Sequence, residues 1–182
     1  TQRKEWVNVA PSLPHWARQL QAAGYRTGYF GKWHVEQTHR LEDFGWSEYD
    51  EKCASARPEV AEGSEVIIPR EGYRDYLMAG VGKSTGAPAR HPAFEKGIDF
   101  VRGSAESGEP FCCFVSTAEP HDPYIPPREY WDMYDVGAIR VSETLRDEPT
   151  GKPELLRRMR AVWEGLSDAD WQRISAAYWA VI

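Results

Sequence analysis

The sequence predicts an α/β fold, in which helices alternate with the strands of a mostly parallel sheet. A helical pattern over residues 13–23 ends at Gly24 and is followed by a strand pattern over residues 25–31. The same order recurs later, with helical spacing over residues 92–104 and a continuous apolar run over residues 111–117. Such a run is typical of a strand buried in a parallel sheet. Helix–strand alternation of this kind indicates an α/β protein.

The first helix has recognisable start and packing signals. Ser12 is predicted to be its N-cap, and Pro14 fits the first turn, where a missing N–H costs little. Trp16, Leu20 and Ala23 recur at helical spacing and are predicted to face the core. In the second helix, the predicted apolar stripe is Phe94, Ile98 and Val101 or Phe100.

The remaining segments are less regular. Residues 66–69 are predicted to form a short strand, and residues 80–89 a surface loop rich in Gly, Ala and Pro. Helices are predicted at residues 128–134, 154–165 and 168–182, the last with Ser167 as its N-cap. No internal repeat and no linker between two complete domains is evident.

Composition narrows the classes of partner. The net charge of −6 and a pI near 5.4 give no general attraction to nucleic acid or to an anionic membrane surface, so neither partner is expected. No apolar run approaches the length of a membrane span. Three cysteines, an odd number, argue against a disulfide framework, and Cys112 and Cys113 are predicted to be buried thiols. The composition specifies neither a compartment nor an oligomeric state.

Both ends of the chain suggest a larger parent protein. The sequence starts at Thr1 without an initiator Met and stops at Ile182 inside an apolar, helix-like run. We therefore expect residues 1–182 to be an internal fragment, with a fold that is incomplete at both ends.

Three residues are candidates for chemistry on an oxyanion. Lys32 and His34 follow Gly31 at a predicted strand end and, being two residues apart, are predicted to share a face, with Trp33 turned the other way. His121 follows the predicted strand at residues 111–117, and open α/β sheets place their sites at carboxyl ends of strands. Hydrolysis of a sulfate or phosphate ester needs cations around the transferring group and a proton donor near the departing oxygen. The alternative is a solvated lysine and two ordinary hydrogen-bonded histidines.

The letters around these residues resemble a known family. Residues 24–34, Gly-Tyr-Arg-Thr-Gly-Tyr-Phe-Gly-Lys-Trp-His, resemble the second signature of the sulfatase family, within the alkaline-phosphatase-like superfamily. Residues 110–127 look like the family's strand and loop that carry another active-site His, and residues 41–50 resemble its segment in which a Gly-aromatic pair folds back over the strand. The resemblance implies part of an alkaline-phosphatase-like mixed, mostly parallel sheet flanked by helices. Residues 1–182 would then be a partial sulfatase catalytic domain, without its N-terminal nucleophile and metal segment and its C-terminal part.

The same resemblance implies a sulfuric ester hydrolase acting on a small-molecule or carbohydrate sulfate ester. Lys32 would grip sulfate oxygens, His34 would support the nucleophile, and His121 would assist the leaving group. Two alternatives remain open. One is a phosphonate monoester or phosphodiester hydrolase of the same superfamily, and the other is a non-catalytic sulfatase-like binding protein. The latter gains some support from Val35-Glu36, where family members more often have Leu-Gly.

The cofactors implied by the resemblance fall outside residues 1–182. Such sulfatases use a formylglycine made from Cys or Ser in a Cys-x-Pro-Ser-Arg type motif and hold a divalent cation, expected to be calcium. Neither that motif nor the acidic ligands are recognisable here, so no metal ligand is assigned and the fragment alone is expected to be inactive. Cys53-Ala54-Ser55-Ala56-Arg57 has Cys and Arg at the right separation, but its central residue and its place after Lys32 exclude it as the nucleophile.

Other chemistry-bearing residues are assigned ordinary structural roles. His15, His39 and His91 are predicted to be structural, and a zinc pair of His34 with His39 is rejected because no third ligand is near in sequence. Gly80-x-Gly82-Lys83-Ser84 resembles a phosphate loop only faintly, since it lacks the first Gly and a preceding buried strand. Asp122 is a candidate to orient the loop of His121, and the alternative is a carboxylate simply solvated at the surface.

Overall fold

A computed structural model describes residues 8–70, 78–86 and 90–182. The chain divides into two compact units. The first unit comprises Thr1–Ala56 and Arg90–Ala118, and the second comprises Arg57–Ala89 and Glu119–Ile182.

The first unit is built on a three-stranded parallel sheet. Its strands are β1 (Arg26–Gly31), β2 (Glu48–Asp50) and β3 (Phe111–Ser116), in the order β2-β1-β3. Both pairings are parallel, and Gly31 at the end of β1 lies opposite Ser116 at the end of β3. The α/β prediction with a parallel sheet flanked by helices is confirmed.

The first helix, α1 (Trp16–Ala22), begins later than its sequence pattern suggests. His15 occupies the N-cap position, so the prediction of Ser12 as the cap is wrong. The residue before a proline avoids the helical region, and Leu13 instead closes a turn by donating its N–H to the Ala10 carbonyl (3.0 Å). Past the helix end, Gly24 has a φ of 86°, the left-handed conformation expected of a helix-terminating glycine.

The second helix, α2 (Pro92–Ser107), packs on the sheet through small residues, and its predicted stripe is largely wrong. Phe94 is 53 % exposed, and Ile98 and Val101 are also exposed. The sheet approaches this helix closely: a Cβ on Gly97 would lie 2.6 Å from a methyl group of Val115. Large side chains are therefore excluded from most of the packed face, whose buried residues are Ala93, Gly97, Phe100 and Ser104.

Neighbouring residues of β1 fill two apolar clusters on opposite faces of the sheet, as strand alternation requires. Tyr29 packs on one face with a cluster that contains Ala17, Trp33, Leu41, Phe44 and Trp46. Phe30 packs on the other face with Cys53, Ala93 and Phe100. The central strand is thus covered on both sides.

The third strand is parallel as predicted, but its predicted full burial is wrong. None of the residues of β3 is fully buried, and Phe111 and Phe114 are exposed. Among the described strands, β3 pairs only with β1 and so forms an edge of the sheet. Edge position explains the difference, because an edge strand has a neighbour on one side only.

The second unit holds the remaining helices: α3 (Arg128–Trp131), α4 (Glu154–Trp163) and α5 (Asp168–Ala180). Ser167 caps α5 as predicted, in a capping box in which Ser167 and Asp170 bond each other's backbone N–H groups. Within the described residues, no helix combines the length and apolar character that crossing a membrane would require.

In this unit the structure differs from the sequence prediction at two segments, the predicted strand and the predicted surface loop. Residues 66–69 contribute a single antiparallel bridge, Ile67 to Ala79, instead of a strand. Within the predicted surface loop at residues 80–89, Gly80 and Gly82 are buried, and residues 87–89 lie outside the described residues. Burial follows from backbone bonding, because Gly80 donates its N–H to the Tyr124 carbonyl (3.0 Å).

Gly31 is predicted to be the most sensitive glycine of the first unit. Its φ is 107°, and a Cβ there would lie 1.7 Å from the Ser116 carbonyl oxygen. Gly31→Ala should lower the free energy of unfolding by at least about 3 kcal/mol, since it combines a strained φ with a backbone clash. Gly24→Ala is the matched control, because Gly24 has a positive φ but nothing within 4 Å of an added Cβ. It should cost only about 1 kcal/mol. Equal losses in urea titrations of the two variants would contradict the role assigned to the Ser116 contact.

Candidate active site

The segment Lys32–His34 follows the carboxyl end of β1, and hydrogen bonds hold both backbone groups of its first residue. The Lys32 N–H donates to the Ser116 carbonyl (2.8 Å), which extends the β1–β3 pairing by one residue. The Lys32 carbonyl accepts from the Tyr29 hydroxyl (2.5 Å). Both backbone groups of Lys32 are thus bonded, so the point from which its side chain starts is defined.

The side chains of this segment separate as the sequence predicted, although the segment lies beyond the strand. Trp33 is buried, and its ring lies 5.2 Å from the ring of Tyr29 and 5.4 Å from that of Phe44. Lys32 is half-buried and His34 is exposed. The prediction that Trp33 turns away from its two neighbours is confirmed.

Lys32 has no carboxylate partner among the described residues of its unit. Three acids of that unit pair with other cations: Glu48 with Arg26, Asp50 with Lys96, and Asp43 with Arg40. An ammonium group that is half-buried and not neutralised by an ion pair is suited to bind an anion from solution.

Tyr29 is a residue whose importance the sequence did not reveal. Its ring stacks on Phe114 at 5.0 Å and meets Trp46 at 5.1 Å, so it links β3 to the segment after β1. Burial raises the pKa of the Tyr29 phenol, which keeps its hydroxyl protonated and able to donate to Lys32. The strand pattern predicted a half-buried aromatic residue at Tyr29. No sequence pattern indicates that its hydroxyl bonds the carbonyl of Lys32, three residues later.

Glu36 is a second such residue. The sequence marked Val35-Glu36 only as a departure from the family pattern, yet the Glu36 carboxylate is buried and accepts hydrogen bonds from Trp33, Thr38 and His39. The one signal that could have found it is an acidic residue placed three residues from both Trp33 and His39.

His121 belongs to the second unit, where it is held by its neighbour. Its side chain is 63 % exposed, and Nδ1 lies 2.9 Å from a carboxylate oxygen of Asp122, whose own side chain is only 14 % exposed. The Arg57 guanidinium donates to the His121 carbonyl (3.1 Å). The contact through Nδ1 leaves Nε2 as the ring nitrogen that can meet a substrate. Asp122 therefore contacts and orients the His121 imidazole.

Lys32 and His34 share the first unit, at the end of β1, and His121 lies in the second. That the three act on one group stays a prediction.

The cysteines do not form a reactive centre. Cys53 is buried and donates its S–H to the Asp50 carbonyl (3.0 Å), and burial, followed by the nearby Asp50, raises the pKa of its thiol. This environment agrees with its exclusion as the nucleophile. Cys112 and Cys113 are half-buried, so the prediction of full burial is wrong, although burial still raises the pKa of both thiols.

The faint phosphate-loop resemblance covers a loop that binds a carboxylate of the chain itself. The Ser84 hydroxyl and the N–H groups of Thr85 (2.8 Å) and Gly86 (2.7 Å) all donate to one oxygen of Glu129. The hydroxyl of Ser84, with these amides, lowers the pKa of Glu129 to about 2. These donors are used within the second unit, in agreement with the rejection of a phosphate site.

The described part of the chain contains no group of three or more His, Cys, Asp or Glu side chains placed to hold a metal ion. The donor set of a divalent cation is therefore not provided by these residues.

A parallel α/β sheet that presents an unneutralised lysine at the carboxyl end of its central strand defines a protein suited to anion chemistry. Comparison with known proteins identifies the class more closely. The sulfatase family profile matches residues 3–173. The chain is 32% identical over 160 residues to the uncharacterized sulfatase YidJ of Escherichia coli (strain K12), covering 82% of this chain and 32% of that protein. It is 28% identical over 167 residues to the choline-sulfatase of Rhizobium meliloti (strain 1021), covering 72% of this chain and 29% of that protein.

The chain belongs to the sulfatase family. The solved structure of BT4656 in complex with its substrate D-glucosamine-2-N,6-O-disulfate has a similar fold, with a TM-score of 0.51 at 13% identity. That alignment covers 96% of this chain and 44% of the other. The chain spans about a third of the length of the curated relatives it matches.

The Tyr29 hydroxyl is predicted to stabilise the start of the Lys32 segment. Tyr29→Phe keeps the ring packing but removes the donor to the Lys32 carbonyl, so it should lower the free energy of unfolding by about 1 kcal/mol. Tyr25→Phe is the matched control. Tyr25 directly precedes β1, is exposed, and its hydroxyl has no hydrogen bond among the described residues. Denaturant titration of both variants measures the difference. No loss for Tyr29→Phe beyond the control would contradict the assignment.

Proposed function

We propose that the intact protein hydrolyses a sulfate ester, with Lys32, His34 and His121 as its catalytic residues. The observation that carries the proposal is the half-buried Lys32 ammonium at the carboxyl end of β1, which has no carboxylate partner among the residues of its unit that the structure describes. Membership of the sulfatase family supports the choice of a sulfate ester over other anions. Both curated relatives are sulfatases by name, which favours this reaction over the phosphonate or phosphodiester alternative and over a non-catalytic binding protein.

Lys32 would bind the transferring sulfuryl group. Negative charge on that group and on the departing oxygen is what makes the ester slow to hydrolyse, so a fixed cation lowers the barrier. Because the backbone of Lys32 is bonded to Ser116 and Tyr29, little reorganisation is needed when the sulfate oxygens arrive.

The two histidines would move protons at opposite ends of the breaking bond. His34 would orient or deprotonate the nucleophile. As the bond from sulfur to the ester oxygen breaks, the oxygen keeps the electron pair, and the protonated His121 would supply its Nε2 proton to that alkoxide. The Asp122 carboxylate on Nδ1 would hold the ring so that Nε2 is the nitrogen facing the ester oxygen.

Members of the sulfatase family generally use a metal ion and a formylglycine. We propose that the ion is calcium, and that its ligands and the formylglycine lie outside residues 1–182. A hard cation of this kind would be held by several converging oxygen ligands and would neutralise charge on the sulfate.

The substrate class proposed is a small-molecule or carbohydrate sulfate ester. This choice follows the names of the relatives, one a choline-sulfatase and one solved with a disulfated glucosamine. The net charge of −6 and the absence of a membrane-crossing helix among the described residues give no reason to add nucleic acid or membrane as partners.

Substitution of the proposed catalytic residues tests this function in the intact protein. Lys32→Ala and His121→Ala should each lower kcat/KM for a sulfate ester by about a hundredfold or more, because each removes a group that stabilises the transition state. Lys52→Ala and His39→Asn serve as controls, since both residues are exposed, and Asn tolerates the positive φ of 55° at His39. Near-wild-type rates for the Lys32 and His121 variants would remove the site assignment.

Changing the leaving group of the substrate distinguishes the proposed role of His121 from that of Lys32. A proton donor matters most when the departing alcohol is a poor leaving group. His121→Ala should therefore impair an alkyl sulfate more than a nitrophenyl sulfate, whereas Lys32→Ala should impair both to a similar extent. The same dependence in both variants would contradict the separate role of His121.

A further inference from the structure

The Glu36 carboxylate holds together the segment that carries Lys32 and His34. Glu36 is only 7 % exposed, an uncommon state for an acidic side chain. We propose that Glu36 is a positioning residue, which fixes the direction of Lys32 and His34 by anchoring the indole of Trp33 between them. This inference rests on the proposed sulfate ester hydrolysis, and it adds to it a residue that touches no reacting atom.

Glu36 first of all contacts the side chain of Trp33. The indole Nε1 donates to Oε1 of Glu36 (2.8 Å), while the ring packs between Tyr29 and Phe44. A ring held by packing on its faces and by a hydrogen bond at its edge has a single rotamer open to it. Because Lys32 and His34 flank Trp33 in sequence, a fixed Trp33 restricts the backbone from which both side chains leave.

Glu36 also bonds the backbone of the turn that follows it, at Thr38 and His39. The same carboxylate accepts from the N–H groups of Thr38 (2.5 Å) and His39 (3.1 Å). His39 has a φ of 55°, a left-handed conformation that is unfavourable for a non-glycine residue. Two hydrogen bonds to a buried anion are enough to offset that cost. Glu36 thus joins the Trp33 side chain to the turn behind it.

The Glu36 side chain makes these contacts as a carboxylate anion. Burial opposes ionisation of Glu36, but the hydrogen bonds from Thr38, Trp33 and His39 outweigh it and hold the pKa of this carboxyl below its usual value. Glu36 is therefore ionised at neutral pH, as an acceptor of three N–H groups must be. None of the ion pairs formed by the described residues joins Glu36 to Lys32, so Glu36 acts through hydrogen bonds and leaves the Lys32 charge available.

The test compares Glu36→Gln with Glu42→Gln in the intact protein. Glu36→Gln keeps the size of the side chain, but its NH2 group would face one of the N–H donors. Glu42→Gln is the matched control, since Glu42 likewise accepts from an aromatic side chain, the hydroxyl of Tyr49, but is exposed. Two readouts are used: kcat and KM on a nitrophenyl sulfate, and the NMR signal and solvent exchange of the Trp33 indole N–H.

We expect Glu36→Gln to lower kcat by about tenfold to a hundredfold with a smaller change in KM, because misplacement of catalytic groups chiefly affects the transition state. The Trp33 indole N–H should shift and exchange faster. Glu42→Gln should leave kcat within about twofold and the indole signal in place.

A second variant covers the possibility that Glu36→Gln does not fold. Trp33→Phe removes the indole donor and keeps an aromatic ring in the cluster, and it should reproduce the loss in kcat. In the double variant, Trp33→Phe with Glu36→Gln, the loss should be little greater than in either single variant, because both remove the same contact.

The outcomes separate this inference from the function on which it rests. An altered indole signal with unchanged kcat in Glu36→Gln, or an unchanged kcat in Trp33→Phe, would overturn the positioning role while sulfate hydrolysis by the wild type stands. Absence of sulfate hydrolysis by the wild-type intact protein would overturn the proposed function, and the positioning role with it.

Discussion

The backbone of Lys32 is held between the Ser116 carbonyl of the neighbouring strand and the Tyr29 hydroxyl of its own strand. This arrangement depends on Gly31, whose missing side chain lets the chain pass Ser116 where a Cβ would lie 1.7 Å from the carbonyl oxygen. The positive φ at the same residue turns the chain out of the sheet. The position of the lysine is therefore a consequence of strand pairing, and the rest of the first unit serves to maintain that pairing.

Two features extend this order beyond the strand end. Tyr29 joins the packing on one face of the sheet, through Phe114 and Trp46, to the carbonyl of Lys32. Trp33 and Glu36 then carry the order into the turn that follows. Tyr29, Trp33 and Glu36 are all buried, so their hydrogen bonds lose little to competition with water. Preorganisation of this kind is what binding and transfer of a strongly hydrated anion require.

Much of this fold could be predicted from the sequence, because it is encoded locally. Hydrophobic periodicity predicts two helix–strand pairs, α1 with β1 and α2 with β3. Gly24 marks the end of α1, as glycine often does at a helix end. The family motif identified Lys32, His34 and His121 as candidates and the fold to which they belong. The burial of Trp33 was predicted from its alternation with Lys32 and His34, although the structure places this segment beyond the strand.

What the sequence could not supply depends on partners distant in the chain. The stripe of α2 was misassigned, since only the close approach of the sheet to Gly97 shows that small residues form the packed face. The start of α1 was displaced by the restriction that Pro14 places on Leu13, which competes with an otherwise good cap at Ser12. Glu36 read as a departure from the family pattern because its three donors become neighbours only once the turn at residues 36–39 has formed.

We propose that Lys32 and His121 act on the same sulfate group. A crystal structure of the intact protein with inorganic sulfate bound tests this proposal most directly. Sulfate oxygens are expected within about 3 Å of both Nζ of Lys32 and Nε2 of His121. Sulfate bound away from Lys32, with the Lys32 and His121 side chains directed into separate regions, would contradict it.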